Sequence, residues 1–219
     1  MLRLLFEKKG KSVWISHLDL MRLFQRAFQR GGLPLTHTHG FNPRPSVSIA
    51  LPMSVGIESR CELLDFELDG VDVSMDEIRD RLNESLAEGV CVLQVYDTGR
   101  KIRDLVYLEC NLVLEYDSGV EVGCIDALQA LFFSPSVFVP KKTKSGMQDQ
   151  DIIPMIQRIS FETVTDREVL VNCLICCQNP TLNPMQIPLA IEMYCPQYKA
   201  DFCRCERLEV YDSSKQVFR

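Results

Sequence analysis

The chain has 219 residues, 46% of them hydrophobic and 25% charged, with a net charge of −6 at neutral pH. That composition is ordinary for a soluble globular protein of one large or two smaller domains, and argues against a fibrous or disordered chain. No apolar run approaches the ~18–20 residues that span a bilayer, and the apolar stretch at the N-terminus is too short for a signal-peptide core.

The expected compartment is therefore the cytoplasm, where the ten cysteines are expected to be thiols. Charge is unevenly placed. Residues 1–60 hold nine Lys or Arg against three Asp or Glu, a balance of +6, so the remaining 159 residues carry −12. A cationic segment on an acidic chain points to one localised anionic partner.

The first strand is expected at Leu2–Glu7, where Leu2, Leu4 and Phe6 alternate. A Lys-Lys-Gly-Lys turn and the apolar Val13, Trp14 and Ile15 follow. Ser16 is a good helix cap with Asp19 three residues on. The helix it opens places Leu20, Phe24, Ala27 and Phe28 on one face and stops at Gly31-Gly32, with Pro34 blocking continuation. Residues 46–51 and 61–68 read as strands. A second helix starts at Ser74 with Glu77 in a capping box, carries Met75, Ile78, Leu82 and Leu86 as its stripe, and is closed by Gly89. The strand Val90–Tyr96 completes a β-α-β-β-α-β order, the split βαβ pattern of a ferredoxin-like domain.

Asp97–Asp104 reads as a linker, after which the same order recurs. A strand at Leu105–Tyr116 precedes a helix carrying Ile125, Leu128, Leu131 and Phe132. Strands near 136–141 and 155–163 flank a polar stretch, Lys142–Gln150, that reads as a loop. A strand at 167–177, a short or kinked helix starting at Asn183-Pro184 with Pro188 inside it, and a strand at Phe202–Tyr211 finish the chain. The expected fold class is α+β, two tandem ferredoxin-like domains spanning 1–98 and 104–219.

Arg22, Arg26 and Arg30 recur every four residues, forming a stripe on the first helix away from Phe24 and Phe28. No carboxylate stands at i±4 from any of them. Phosphate is the natural partner of such guanidinium groups, which bind its oxygens two at a time. The loop Gly40-Phe41-Asn42-Pro43-Arg44-Pro45 is stiffened by its prolines, which hold Asn42 and Arg44 extended. His37 and His39 alternate on the way in and share a face. With His17, these residues make the candidate anion- or nucleic-acid-binding set: His17, Arg22, Arg26, Arg30, His37, His39, Asn42 and Arg44.

Ser16, His17 and Asp19 are not a catalytic triad, because neighbours at a helix start do not face one another. A histidine acting as general base on a ribose hydroxyl keeps a metal-independent endoribonuclease open as an alternative. Cys173, Cys176, Cys177, Cys203 and Cys205 resemble a metal set only in number. Positions three apart on a strand face opposite ways, and Cys173 and Cys177 stand about 13 Å apart at the usual rise. Buried thiols serving as small apolar side chains are expected, with no cofactor and no metal.

The stretch SHLDLMRLFQRAFQRGGLPLTHTHGFNPRPSVSIALPMSVGIES resembles the uncharacterised radical-SAM-linked proteins. That pattern is a Ser-His-Leu-Asp-Leu helix start with arginines, then a Gly-Phe-Asn-Pro-His-Pro loop; here Arg44 stands in place of the second histidine. The resemblance implies an accessory protein, encoded beside or fused to a B12-binding radical SAM protein. Such a module would present RNA or a ribosomal component to that enzyme, with no role at a membrane or on DNA. The chain has no Cys-x-x-x-Cys-x-x-Cys motif, so it is not itself the radical SAM enzyme. A protein-docking module without nucleic acid is the third reading.

Overall fold

In the computed structural model, which describes residues 1–143 and 146–219, the chain is α+β and divides into two compact units. These are Met1–Ile102 with Arg219, and Arg103–Phe218.

The first unit runs β1 (Leu2–Lys8), α1 (His17–Arg30), β2 (Val47–Ile49), β3 (Glu58–Phe66), α2 (Met75–Asn83) and β4 (Val90–Asp97). Its strands pair antiparallel in the order β4-β1-β3-β2. The expected apolar stretch after the lysine turn is a 3-10 helix, Gly10–Trp14, that buries Val13 and leaves Trp14 exposed. Ser16 caps α1 by accepting the amide of Asp19, and Leu20, Phe24, Ala27 and Phe28 are its buried residues. They meet Leu4 and Phe6 of β1 and Leu64 and Phe66 of β3 in one core. The rings of Phe6 and Phe24 lie 4.7 Å apart edge-on, and those of Phe28 and Phe66 lie 4.9 Å apart, both within the favourable range for aromatic pairs.

The end of α1 is a Schellman motif. Leu33 donates to the Phe28 carbonyl at 2.9 Å and Gly32 to that of Gln29 at 3.3 Å. Gly32 takes φ +64°, a left-handed conformation that costs glycine nothing. Gly89 has a different role from the expected cap: α2 ends earlier, at Asn83. A Cβ on Gly89 would lie 2.4 Å from the Lys9 carbonyl oxygen, so glycine is needed there for close approach of two backbones.

Strand β1 is buried on both faces, and two of its buried residues, Arg3 and Lys8, are charged. Arg3 is fully buried and pairs with Asp65 directly across β3 at 2.5 Å, also donating to the Arg100 carbonyl at 3.0 Å. A buried guanidinium is tolerable only when its charge is matched. Asp65→Ala is therefore expected to destabilise the protein by about 3 kcal/mol, the cost of stranding a buried charge, as read by urea denaturation.

The second unit runs β5 (Leu105–Glu115), α3 (Cys124–Phe132), β6 (Phe138–Thr143), β7 (Gly146–Asp151), β8 (Ile156–Thr165), β9 (Glu168–Cys176), α4 (Gln186–Tyr194) and β10 (Phe202–Asp212). Its main strands pair antiparallel in the order β10-β5-β9-β8. The polar stretch expected as a loop instead contributes to a hairpin, with β6 pairing β7 from Phe138↔Asp151 to Thr143↔Gly146; positions 144 and 145 of that stretch lie outside the described residues. Helix α4 starts two residues later than expected, which puts Pro188 in its first turn. An amide there has no helical partner to lose, so the proline neither shortens nor breaks the helix.

Candidate functional site

The face of α1 opposite its core contacts carries the stripe read from the sequence, and Arg22, Arg26 and Arg30 are all exposed. The chain after Gly32 doubles back beside the helix. It forms an arm in which Ser46 donates to the Thr36 carbonyl at 2.7 Å and Thr38 to that of Arg44 at 2.8 Å. The arm is tied to the sheet by Thr36, which donates to the Glu67 carbonyl at 2.9 Å. Thr38 Oγ1 also accepts the Arg44 amide at 3.1 Å. The expected stiff loop is thus a closed hairpin-like arm with His39, Gly40, Phe41, Asn42 and Pro43 at its tip.

Between helix and arm lies a groove of about 500 Å³. Arg22, Gln25, Arg26 and Gln29 form its helical wall. Phe28, Leu33 and Leu35 form an apolar floor, and Pro34, His37 and Pro45 close the other side. No carboxylate lines it. Of the eight residues expected to act together, the groove collects Arg22, Arg26 and His37. Arg30, His39, Asn42 and Arg44 are exposed but do not line it.

His17 goes elsewhere. It lines a separate cavity of about 10 Å³ with Lys8 and Glu62, both of them buried, and its Nδ1 is buried without a hydrogen-bond partner among the described residues. Such a space takes about one water molecule and no substrate group.

The expectation that all three arginines lack a carboxylate partner is corrected at Arg22. Its Nη1 donates to Asp19 Oδ1 at 2.9 Å, an i,i+3 pair. The absence of acids at i±4 had hidden this partner one position closer. Arg26 and Arg30 have no ion pair among the described residues. Helix α2 offers the contrast: Arg79 pairs with Asp76 and Asp80, each at 2.8 Å, and Arg81 pairs with Glu77. Charge matching is the habit of this protein, and α1 departs from it.

Hydrogen bonds from Ser16 and Arg22 hold the Asp19 carboxyl below its usual 3.8, while burial acts weakly the other way. Its contribution to stability is present above pH 3.8 and lost as pH falls through the depressed value. Asp19→Asn should remove that acid sensitivity, as read by denaturation below about pH 4.

A second groove, of about 330 Å³ in the second unit, is less suited to an anion. It is largely apolar, and its lysine, Lys199, already pairs with Glu192 at 2.5 Å.

The cysteines form a different grouping from the one their spacing suggests. Register sets Cys173 directly opposite Cys110, and the two sulfurs lie 3.2 Å apart. Cys205 adds a hydrogen bond to Cys110 from β10. Cys176 instead stands opposite Tyr107. All ten cysteines are free thiols, and among the described residues no group of three or more His, Cys, Asp or Glu could hold a metal ion. The shared hydrogen bond with Cys173, with burial, holds the Cys110 thiol far above its usual range. Burial, with a smaller push from Cys176, raises Cys177 to about 12 against the opposing pull of Arg207. Such thiols favour the fold only while protonated. Their contribution to stability should be constant below pH 9 and decline from pH 9 towards 12 as the unfolded chain ionises first. Denaturation midpoints over that range, with Cys177→Ala showing a shallower decline, test this.

Fold and groove together define an α+β protein of two units with a cationic, apolar-floored groove on the first. The chain belongs to a family described as an uncharacterised protein conserved in bacteria, DUF2344, whose profile matches residues 1–184. No curated protein matches it. Among solved structures, it is similar to a chain of a Cbf5-Nop10-Gar1 complex at 8% identity and a TM-score of 0.52, over 95% of this chain and 48% of that one. The protein thus spans about half the length of that chain, and the likeness is one of fold. An unknown protein from Galdieria sulphuraria aligns at 9% identity over 94% and 96% of the two chains, with a TM-score of 0.27. No described helix is long and apolar enough to cross a membrane.

Proposed function

We propose that this protein is a non-catalytic accessory protein that binds RNA or a ribonucleoprotein through the basic surface of its first unit. The observation that carries this reading is the groove: two guanidinium groups and an imidazole share it, no carboxylate lines it, and Arg26 has no ion partner among the described residues. Arginines left unmatched on one helix, in a protein that pairs those of the next, are best accounted for by an anion from outside. Arg30 and Arg44 extend the positive surface beyond the groove, where they can meet neighbouring phosphates.

The motif between Ser16 and Ser59 supports a link to a radical SAM protein, for which this chain would hold the substrate. We read each unit as a ferredoxin-like fold, since the orders β4-β1-β3-β2 and β10-β5-β9-β8 are the same arrangement of four strands. The cytoplasm is the compartment that this composition suits.

Catalysis is not part of the proposal, because His17 and His37 line different cavities and general acid–base chemistry needs its groups on one substrate. One feature favours the protein-docking reading instead. Phe41, at the tip of the arm, is fully exposed, and a lone aromatic in that position suits a hydrophobic partner as well as it suits a base.

The test is the salt dependence of RNA binding. Arg22, Arg26 and Arg44 changed together to Ala should lower the slope of log K against log salt by about 2, the value for three single-strand phosphates. Undiminished RNA affinity in this variant sinks the proposal. Co-purification of a protein partner that is insensitive to the arginine changes but lost in Phe41→Ala supports docking in its place.

A further inference from the structure

We infer that the groove between α1 and the arm receives an unpaired nucleotide of an RNA strand, with the base against Pro34, His37 and Pro45 and the phosphate at Arg26. The inference rests on the RNA-binding reading and narrows it from any RNA to an unpaired segment.

The groove is built from three kinds of surface, and a duplex satisfies only one of them. Phosphates on the outside of a helix would meet Arg22 and Arg26. They would leave the arm surface of Pro34, His37 and Pro45 uncovered and the amides of Gln25 and Gln29 unused. An unpaired nucleotide meets all three. Its base has two apolar faces and a hydrogen-bonding edge, and its phosphate carries the charge.

Size agrees with this. About 500 Å³ falls within the ~300–1,000 Å³ of small-molecule sites, whereas the convex side of an A-form duplex does not enter such a space. Gln25 and Gln29 are one turn apart on α1 and carry both donors and acceptors, so they can meet the edge of an unpaired base. His37 and Pro45, which face one another across the arm, offer flat surfaces against which a base can lie. Arg22 is held by Asp19 whereas Arg26 is not, which makes Arg26 the phosphate contact.

The experiment uses the full chain and fluorescence anisotropy with a labelled mixed-sequence 12-nucleotide RNA, alone and annealed to its complement. A mixture of free ribonucleoside monophosphates serves as competitor. The single strand should bind at least tenfold more tightly than the duplex. Gln25→Ala with Gln29→Ala should weaken single-strand binding about tenfold at an unchanged salt slope. Arg26→Gln should lower that slope by about 0.7, one single-strand phosphate. Both glutamines lie on the outer side of α1, so their loss leaves the core contacts intact.

Equal affinity for duplex and single strand, with no effect of the glutamine changes, overturns this inference and leaves RNA binding standing. Absence of binding to either RNA removes the RNA reading itself. Free monophosphates that bind as tightly as the 12-nucleotide strand overturn the RNA strand as the source of the nucleotide.

Discussion

Two ring contacts set the geometry on which the groove depends. Phe24 against Phe6, and Phe28 against Phe66, pin α1 to the first and third strands of its unit. A helix held at two points one turn apart cannot rotate about its own axis. Successive residues differ by about 100° around that axis, so rotation by a single position would carry arginines towards the core and phenylalanines into water. Because the rings are fixed, Arg22, Gln25, Arg26 and Gln29 are fixed as one outward wall. The Schellman turn at Gly32 then sends the chain back along the helix. Leu33 and Leu35 are tucked beneath, and the segment from Pro34 to Pro45 becomes the opposite wall.

The electrostatic character of that groove follows from where the acids are. All but three of the thirty acidic residues lie beyond residue 60. Asp19 is the one on α1, and it is taken up by Ser16 and Arg22. An exposed pair of this kind is screened by solvent and weakly held, so it leaves Arg22 able to exchange its partner for a phosphate. Arg26 forms no ion pair among the described residues. The stiff arm adds a second advantage, since its backbone is ordered by its own hydrogen bonds before any ligand arrives and little entropy remains to be lost on binding.

The second unit puts its polar chemistry to structural use. Cys110, Cys173 and Cys205 occupy the buried side of adjacent strands alongside leucine, valine and isoleucine. Burial of all three, with the raised thiol pKa values of Cys110 and Cys205, marks them as core residues and not as nucleophiles or ligands.

The parts legible in the sequence are those governed by contacts a few residues apart. The cap at Ser16, the buried face of α1, the stop at Gly31-Gly32 and the alternation in β5 and β9 all follow from periodicity and local hydrogen bonding. So did the arginine stripe, though not its pairing to Asp19, which sits at i+3 instead of i+4. Strand β7 was hidden because a polar strand carries no hydrophobic alternation to announce it, whereas its partner β6 begins within the strand expected near 136–141. Only tertiary structure could place Cys173 against Cys110, since register between strands far apart in the chain is set by the whole sheet. It also decided the groove. His17 lies at a helix start facing β1 and β3, while His37 lies across the turn on the returning arm, so residues alike in type and close in sequence end in different cavities. The sequence by itself determined the cationic helix face; the reversal at Gly32 and the packing of four rings determined that this face would border a groove.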